Sequence, residues 1–186
     1  MRVRILASLA AAALVAACSN DLLKPIATTD NTVDTITLGA LRYTPVETPS
    51  AFSVLGSSAV RTDQLTGPNF DFLYDIDSIQ GPSFYPAEVT GVLAKASTNP
   101  ALKRMQVPFD SIKSADLNGY VSDALQPIAA GDVFLVRSLI TCAQGVPEYG
   151  KLEVLSIDAV AHSVTFQVLV DDNCGYRGLQ PGLPKN

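Results

Sequence analysis

Residues 132–170 read DVFLVRSLITCAQGVPEYGKLEVLSIDAVAHSVTFQVLV, and the fold class turns on this stretch. Three runs rich in β-branched and large apolar residues, 132–140, 151–157 and 163–170, are separated by connections short enough for hairpins. In the third run Val164, Phe166, Val168 and Val170 recur at every second position, which places them on one face of a strand whose entrance is marked by His162. The pattern predicts a three-stranded antiparallel meander at the C-terminal end of the chain.

Upstream, the same two-residue period returns in shorter pieces. Residues 33–43 are rich in Thr, Ile and Leu; 51–62 carry Phe52, Val54 and, past Gly56, Val60; and 69–76 alternate Phe70, Phe72, Tyr74 and Ile76. A weaker strand is expected over 84–95, where Pro86 suggests an edge or a bulge. Residues 99–123 are the least regular, punctuated by Pro100, Pro108 and Gly119, with one helical turn expected over Ala101–Met105. No long stretch shows a 3.6-residue period and no segment repeats at fixed spacing. The expected fold is mostly β, an antiparallel β-sandwich closed by the meander, favoured over a barrel by strands recurring every ten to twenty residues.

The N-terminus has a different character. Arg2 and Arg4 precede a thirteen-residue apolar stretch, Ile5 to Ala17, that leads through Val15-Ala16-Ala17 to Cys18 and is followed by polar Ser19-Asn20-Asp21. The run is too short to span about 30 Å of hydrocarbon as a helix, and it has the charged start and small-residue end of a secretion signal. Its ending resembles the bacterial lipobox, in which the cysteine thiol receives a diacylglyceryl group and becomes the new N-terminus. Residues 1–17 are therefore expected to be a lipoprotein signal peptide, 18–32 a lipidated, flexible tether containing Pro25, and 33–186 a single β-rich domain. Membrane attachment at Cys18 would rest on acyl chains. Ser19 favours the outer membrane if the cell is diderm.

Composition narrows the function classes. The mature chain keeps eleven basic against eighteen acidic residues, which argues against a partner with a phosphate backbone, so no nucleic acid is expected. A single histidine, His162, leaves little for acid–base catalysis, and no nucleophile elbow, phosphate loop or zinc-binding helix pattern occurs. No enzyme activity, catalytic residue, metal or cofactor is expected. Asp71, Asp75 and Asp77 have even spacing and share one strand face; the calcium-loop pattern fails because Ile79 and Gln80 stand where a ligand and the turn glycine belong, so a solvated outer face is expected. Asp171-Asp172-Asn173 reads as turn chemistry after a strand. Tyr43, Phe52, Phe84, Tyr85, Tyr120, Tyr149 and Tyr176 read chiefly as core fillers.

Export and acylation of Cys18 leave Cys142 and Cys174 as an even pair in an oxidising compartment, where a disulfide is expected, against the alternative of two separate buried thiols. Each follows an outer strand of the meander at the same end. Those strands stand near 10 Å apart while a bridge needs Cα atoms within about 7 Å, so either the loops lean together, aided by Gly145 and Gly175, or the first and third strands pair directly.

Gly119-Tyr120-Val121-Ser122-Asp123, then 131–137 and Tyr149-Gly150-Lys151-Leu152-Glu153-Val154-Leu155, together with Phe70-Asp71-Phe72, resemble the strands of HmuY-like haem-binding lipoproteins over about the last two thirds of the chain. The resemblance implies a β-rich lipoprotein that grips haem between loops through two axial side chains, for which this sequence offers His162 and Met105. Two readings follow. One is a lipid-anchored, non-catalytic binding or assembly module of the cell envelope with an envelope protein as partner; the other is an HmuY-like haem or small-ligand capture protein. A deep aromatic pocket beside His162 would favour capture, and an exposed apolar surface a protein partner.

Overall fold

The computed structural model describes residues 26–64, 69–143 and 145–184, and the signal segment, Cys18 and most of the expected tether lie outside them. Ten strands are laid down in chain order: β1 (Val33–Gly39), β2 (Ala51–Ser53), β3 (Ser58–Val60), β4 (Phe72–Asp77), β5 (Gly81–Pro86), β6 (Ala101–Met105), β7 (Gln126–Pro127), β8 (Val133–Ile140), β9 (Pro147–Asp158) and β10 (Ser163–Asp171). They form two antiparallel five-stranded sheets, β1-β10-β9-β8-β6 and β3-β2-β4-β5-β7, stacked as a β-sandwich. The meander is β8-β9-β10, as its alternation requires, with β1 added outside β10 and β6 outside β8.

The main core lies between the sheets. Val164, Phe166, Val168 and Val170 of β10 meet Phe72 and Tyr74 of β4, with Ile76 packed against them, so the predicted stripes point inward except at Phe70, which precedes β4 and joins a separate cluster. Phe52, Phe72, Phe84, Phe134 and Phe166 form a chain of tilted and edge-on ring contacts that ties the layers together. The tightest of these is the Phe72–Phe84 pair, with ring centres 4.7 Å apart.

The outer faces are covered too, which the alternation did not reveal. Phe109, Ile112, Ala115 and Leu179 lie over Val133, Leu135, Tyr149 and Leu169, so the irregular segment after β6 and the C-terminal strap together roof the first sheet. Beneath that roof Lys151 is buried, donating from Nζ to the Phe109 carbonyl (2.9 Å) and the Ile112 carbonyl (3.0 Å) and lying 4.3 Å from the Phe109 ring centre. Phe70, Leu73 and Ala87 make a smaller cluster on the second sheet.

Four expectations are corrected. Ala101–Met105 is strand β6, because pairing with β8 supplies hydrogen bonds that one isolated helical turn could not match. The expected strand over 84–95 ends at Pro86, and residues 87–93 turn back over the sheet, with Ala87 donating to the Asp71 carbonyl and Leu93 packed against the cluster of Ala51, Phe70, Leu73 and Ala87. The acidic face of the 69–76 region is not solvated: Asp71 and Asp75 are buried, Asp75 holding Arg42 Nε at 2.5 Å, while Asp77 closes a turn by accepting the Ile79 and Gln80 amides. The end of the expected tether is fastened. Ala27 donates its amide to the Tyr176 hydroxyl, Thr28 and Thr29 donate to Asn173 Oδ1, and Asn31 forms a bridge with Gly182.

Candidate functional site

The sandwich has two chemically distinct ends. At one end β8 and β10 finish on either side of the start of β9, and Cys142 is joined there to Cys174. The Cα atoms are 5.7 Å apart, and the bridge forms through leaning loops: β9 lies between β8 and β10, so those two strands never pair. Gly145 and Gly175 both have positive φ, 72° and 84°. This is the left-handed backbone that turns each loop inward and that side-chain-bearing residues rarely adopt.

Four carboxyl groups gather at this end, Glu148 beside the bridge and Asp71, Asp171 and Asp172 close enough to act on Glu148. Asp71, just before β4, accepts the Val54 amide at 2.6 Å and the Leu139 amide at 2.8 Å. Burial nonetheless pushes its pKa up to about 6. Glu148 is 4% exposed, and its Oε1 lies 3.8 Å from Cys142 Sγ. Sulfur in a disulfide has no proton to donate, and Oε2 meets no hydrogen-bond partner among the described residues. Burial first, then the charges of Asp172, Asp71 and Asp171, raises the Glu148 carboxyl to about 7. Asp171 is fully buried and takes the amide and side-chain nitrogen of Asn173.

Cys142, Glu148 and Cys174 bring their ligand atoms within 4.8 Å of one another. A transition metal held by cysteine needs thiolates, and here both sulfurs are spent on each other, so the group as it stands is a disulfide beside a carboxyl. A small hollow of about 170 Å³ opens alongside, lined by Leu55, Phe70, Asp71, Ser138, Leu139 and neighbouring residues. A larger cleft of about 590 Å³ runs along the C-terminal strap, bordered by Lys113, Ser114, Arg177, Gln180 and Pro181.

The opposite end carries exposed apolar side chains. Ala40 donates its amide to the His162 carbonyl, Leu41 donates to the Tyr74 carbonyl, and Arg42 ion-pairs with Asp75, so the loop after β1 is laced to the β9–β10 turn and to the end of β4 that leads into the β4–β5 turn. On these three connections Leu41, Tyr43, Val46, Ile79 and Val160 reach solvent, Ile79 at 93% and Val160 at 91% exposure.

His162 sits in this region with φ 52°, its ring 5.2 Å from that of Tyr43. Met105 packs instead under the roof of the first sheet, beside the Phe109 cluster. It is paired with Val133, in line with Glu153 and Gln167, so three strand spacings and five residues of β10 separate it from His162. At the usual strand spacing and rise that separation is about 20 Å. The structure does not bring the two together, and none of the hollows just described is lined by either.

Of the residues singled out from sequence, Cys142 and Cys174 meet, Asp171 and Asn173 join the acidic end, and Phe52, Phe84, Tyr149 and Tyr176 are buried as fillers while Tyr43 is half exposed. Glu148 was not singled out. Its only signal in the sequence is a carboxylate six positions from a cysteine, near the start of a strand. No protein-family model matches this chain, and neither a curated protein nor a solved structure matches it.

Proposed function

We propose that the protein is a lipid-anchored, non-catalytic envelope module that holds a protein partner on the apolar loop end of its sandwich. The observation that carries this reading is the polarity of the domain. The described chain begins beside Asn173 and Tyr176, at the disulfide end, where Ile26 and Leu55 are exposed singly, whereas the two most exposed large apolar side chains, Ile79 and Val160, stand together with Leu41, Tyr43 and Val46 at the other. Attached through Cys18, the domain is fastened within about 30 Å of chain from its anchor, while the length of β9 carries the hairpin tip about 40 Å farther. Such an arrangement directs the apolar tips away from the bilayer, and several large apolar side chains at one end are the composition expected of a partner-binding surface.

Two measurements on the full-length chain in its own envelope test the reading. Cys18→Ala should leave the protein unprocessed or release it into soluble fractions, and wild-type retention of that variant removes the anchor. A photo-crosslinking residue at Val160 or Ile79 should give one discrete protein adduct that is absent when the same residue stands at exposed Asp123. Equal labelling at all three positions, or none at the tips, removes the partner surface.

A further inference from the structure

We propose that the Cys142–Cys174 bridge is an exchangeable disulfide, opened by a thiol that attacks Cys174, with Glu148 as the proton donor to the departing Cys142. Three features of the geometry carry this. Cys174 is partly exposed while Cys142 is buried, so an external thiolate reaches the Cys174 sulfur first and expels Cys142. Glu148 Oε1 stands 3.8 Å from the leaving sulfur. Neither oxygen of that carboxyl receives a hydrogen from the described residues, so nothing competes for the proton it carries or compensates the charge it would leave.

The chemistry balances with a dithiol as reductant. The thiolate bonds to Cys174 Sγ, the Cys142–Cys174 bond breaks, and its electron pair leaves on Cys142 Sγ, which takes the Glu148 proton. The second thiol then attacks the mixed disulfide and expels Cys174; the dithiol ends oxidised by two electrons and the bridge reduced by two. Glu148 regains its proton from solvent.

The groups facing Glu148 set its working range. Asp71 approaches from the second sheet, and Asp171 and Asp172 from the end of β10; all three are acidic and raise its affinity for a proton. A carboxyl poised near neutrality matches a step that must hold a proton before exchange and give it up during it. A structural bridge has no use for a neutral carboxyl beside its sulfur, since an apolar side chain would fill the space without a desolvation cost.

Reduction of the mature, folded protein by dithiothreitol, followed by acid quench, alkylation and mass counting of free thiols, tests this between pH 5.5 and 8.5. The readout is the rate per attacking thiolate. In the wild type it should fall about tenfold or more as pH rises through about 7, because the donor is lost and a carboxylate now repels the incoming thiolate. Glu148→Gln should flatten that dependence. The exposed substitution Asp172→Asn removes one repelling charge and should move the midpoint to lower pH, which keeps the test decisive if Glu148→Gln does not fold. An unchanged profile in the variant that folds, or a rate that rises with urea as global unfolding does, overturns the proposal. Loss of the tip adducts leaves it untouched, since the two ends are tested separately.

Discussion

The Asp71 carboxylate accepts the Leu139 amide at 2.8 Å across 68 residues of chain, and it accepts the Val54 amide as well. Val54 follows β2 in one sheet and Leu139 lies in β8 of the other. One side chain therefore clasps the two layers at the disulfide end.

This clasp makes stability depend on pH with a definite sign. Burial raises the Asp71 pKa from an ordinary 3.8 to about 6, so the fold holds the proton more tightly than the unfolded chain. The contribution is fully present below about pH 4 and is lost as pH rises through about 6, a change on the order of 3 kcal/mol at most. Glu148, raised to about 7, extends the loss in the same direction. Urea midpoints at pH 4, 5, 6 and 7 should fall for the wild type. Asp71→Asn, which loses one clasp acceptor and costs roughly 1–3 kcal/mol at pH 4, should fall less over the same range. Parallel curves would show that Asp71 does not titrate in this window.

The strands were legible from the face that the opposing sheet buries, as in the alternation of Val164, Phe166, Val168 and Val170. What the alternation left unread is the cover on the other face: Leu169, between Val168 and Val170, is buried there because the 109–115 segment and Leu179 roof it. Asp71 and Asp75 looked solvated for the same reason: alternation places them on an outer face, and only the tertiary fold supplies the amides and the Arg42 partner that bury them. At the candidate site, parity and compartment found the cysteines, but nothing local distinguishes Glu148 from a surface carboxylate, since its neighbours come from three separate segments.

Lys151 carries a second prediction. Its ammonium bonds two carbonyls of the roof, and burial lowers its pKa against the opposing influence of Asp110. Lys151→Met keeps much of the volume but leaves the Phe109 and Ile112 carbonyls without their charged donor, which should destabilise by roughly 2–4 kcal/mol. Hydrogen exchange should locate the damage: amides of 109–115 become faster to exchange while those of β4 and β5 keep their protection. Uniform acceleration across both sheets would mean that the roof is not a separate layer held by this side chain.

The bridge between Cys142 and Cys174 gives the last. It links residues 32 apart. On chain-entropy grounds a loop of that size restricts the unfolded state by about 3–4 kcal/mol. The stabilisation also has a place in the fold, because Cys174 follows Asn173, the residue that fastens Thr28 and Thr29. Replacing both cysteines by serine should lower the melting temperature by roughly ten degrees for a domain of this size. It should also release the segment around residues 27–31 to protease at temperatures where the wild type resists cleavage. The double variant is compared with wild type, since a single serine would leave a free thiol beside Glu148. A melting shift under about two degrees with no new cleavage would show that the segment 27–31 is held by Asn173, Tyr176 and Gly182 without help from the disulfide, which then adds nothing to the stability of this end.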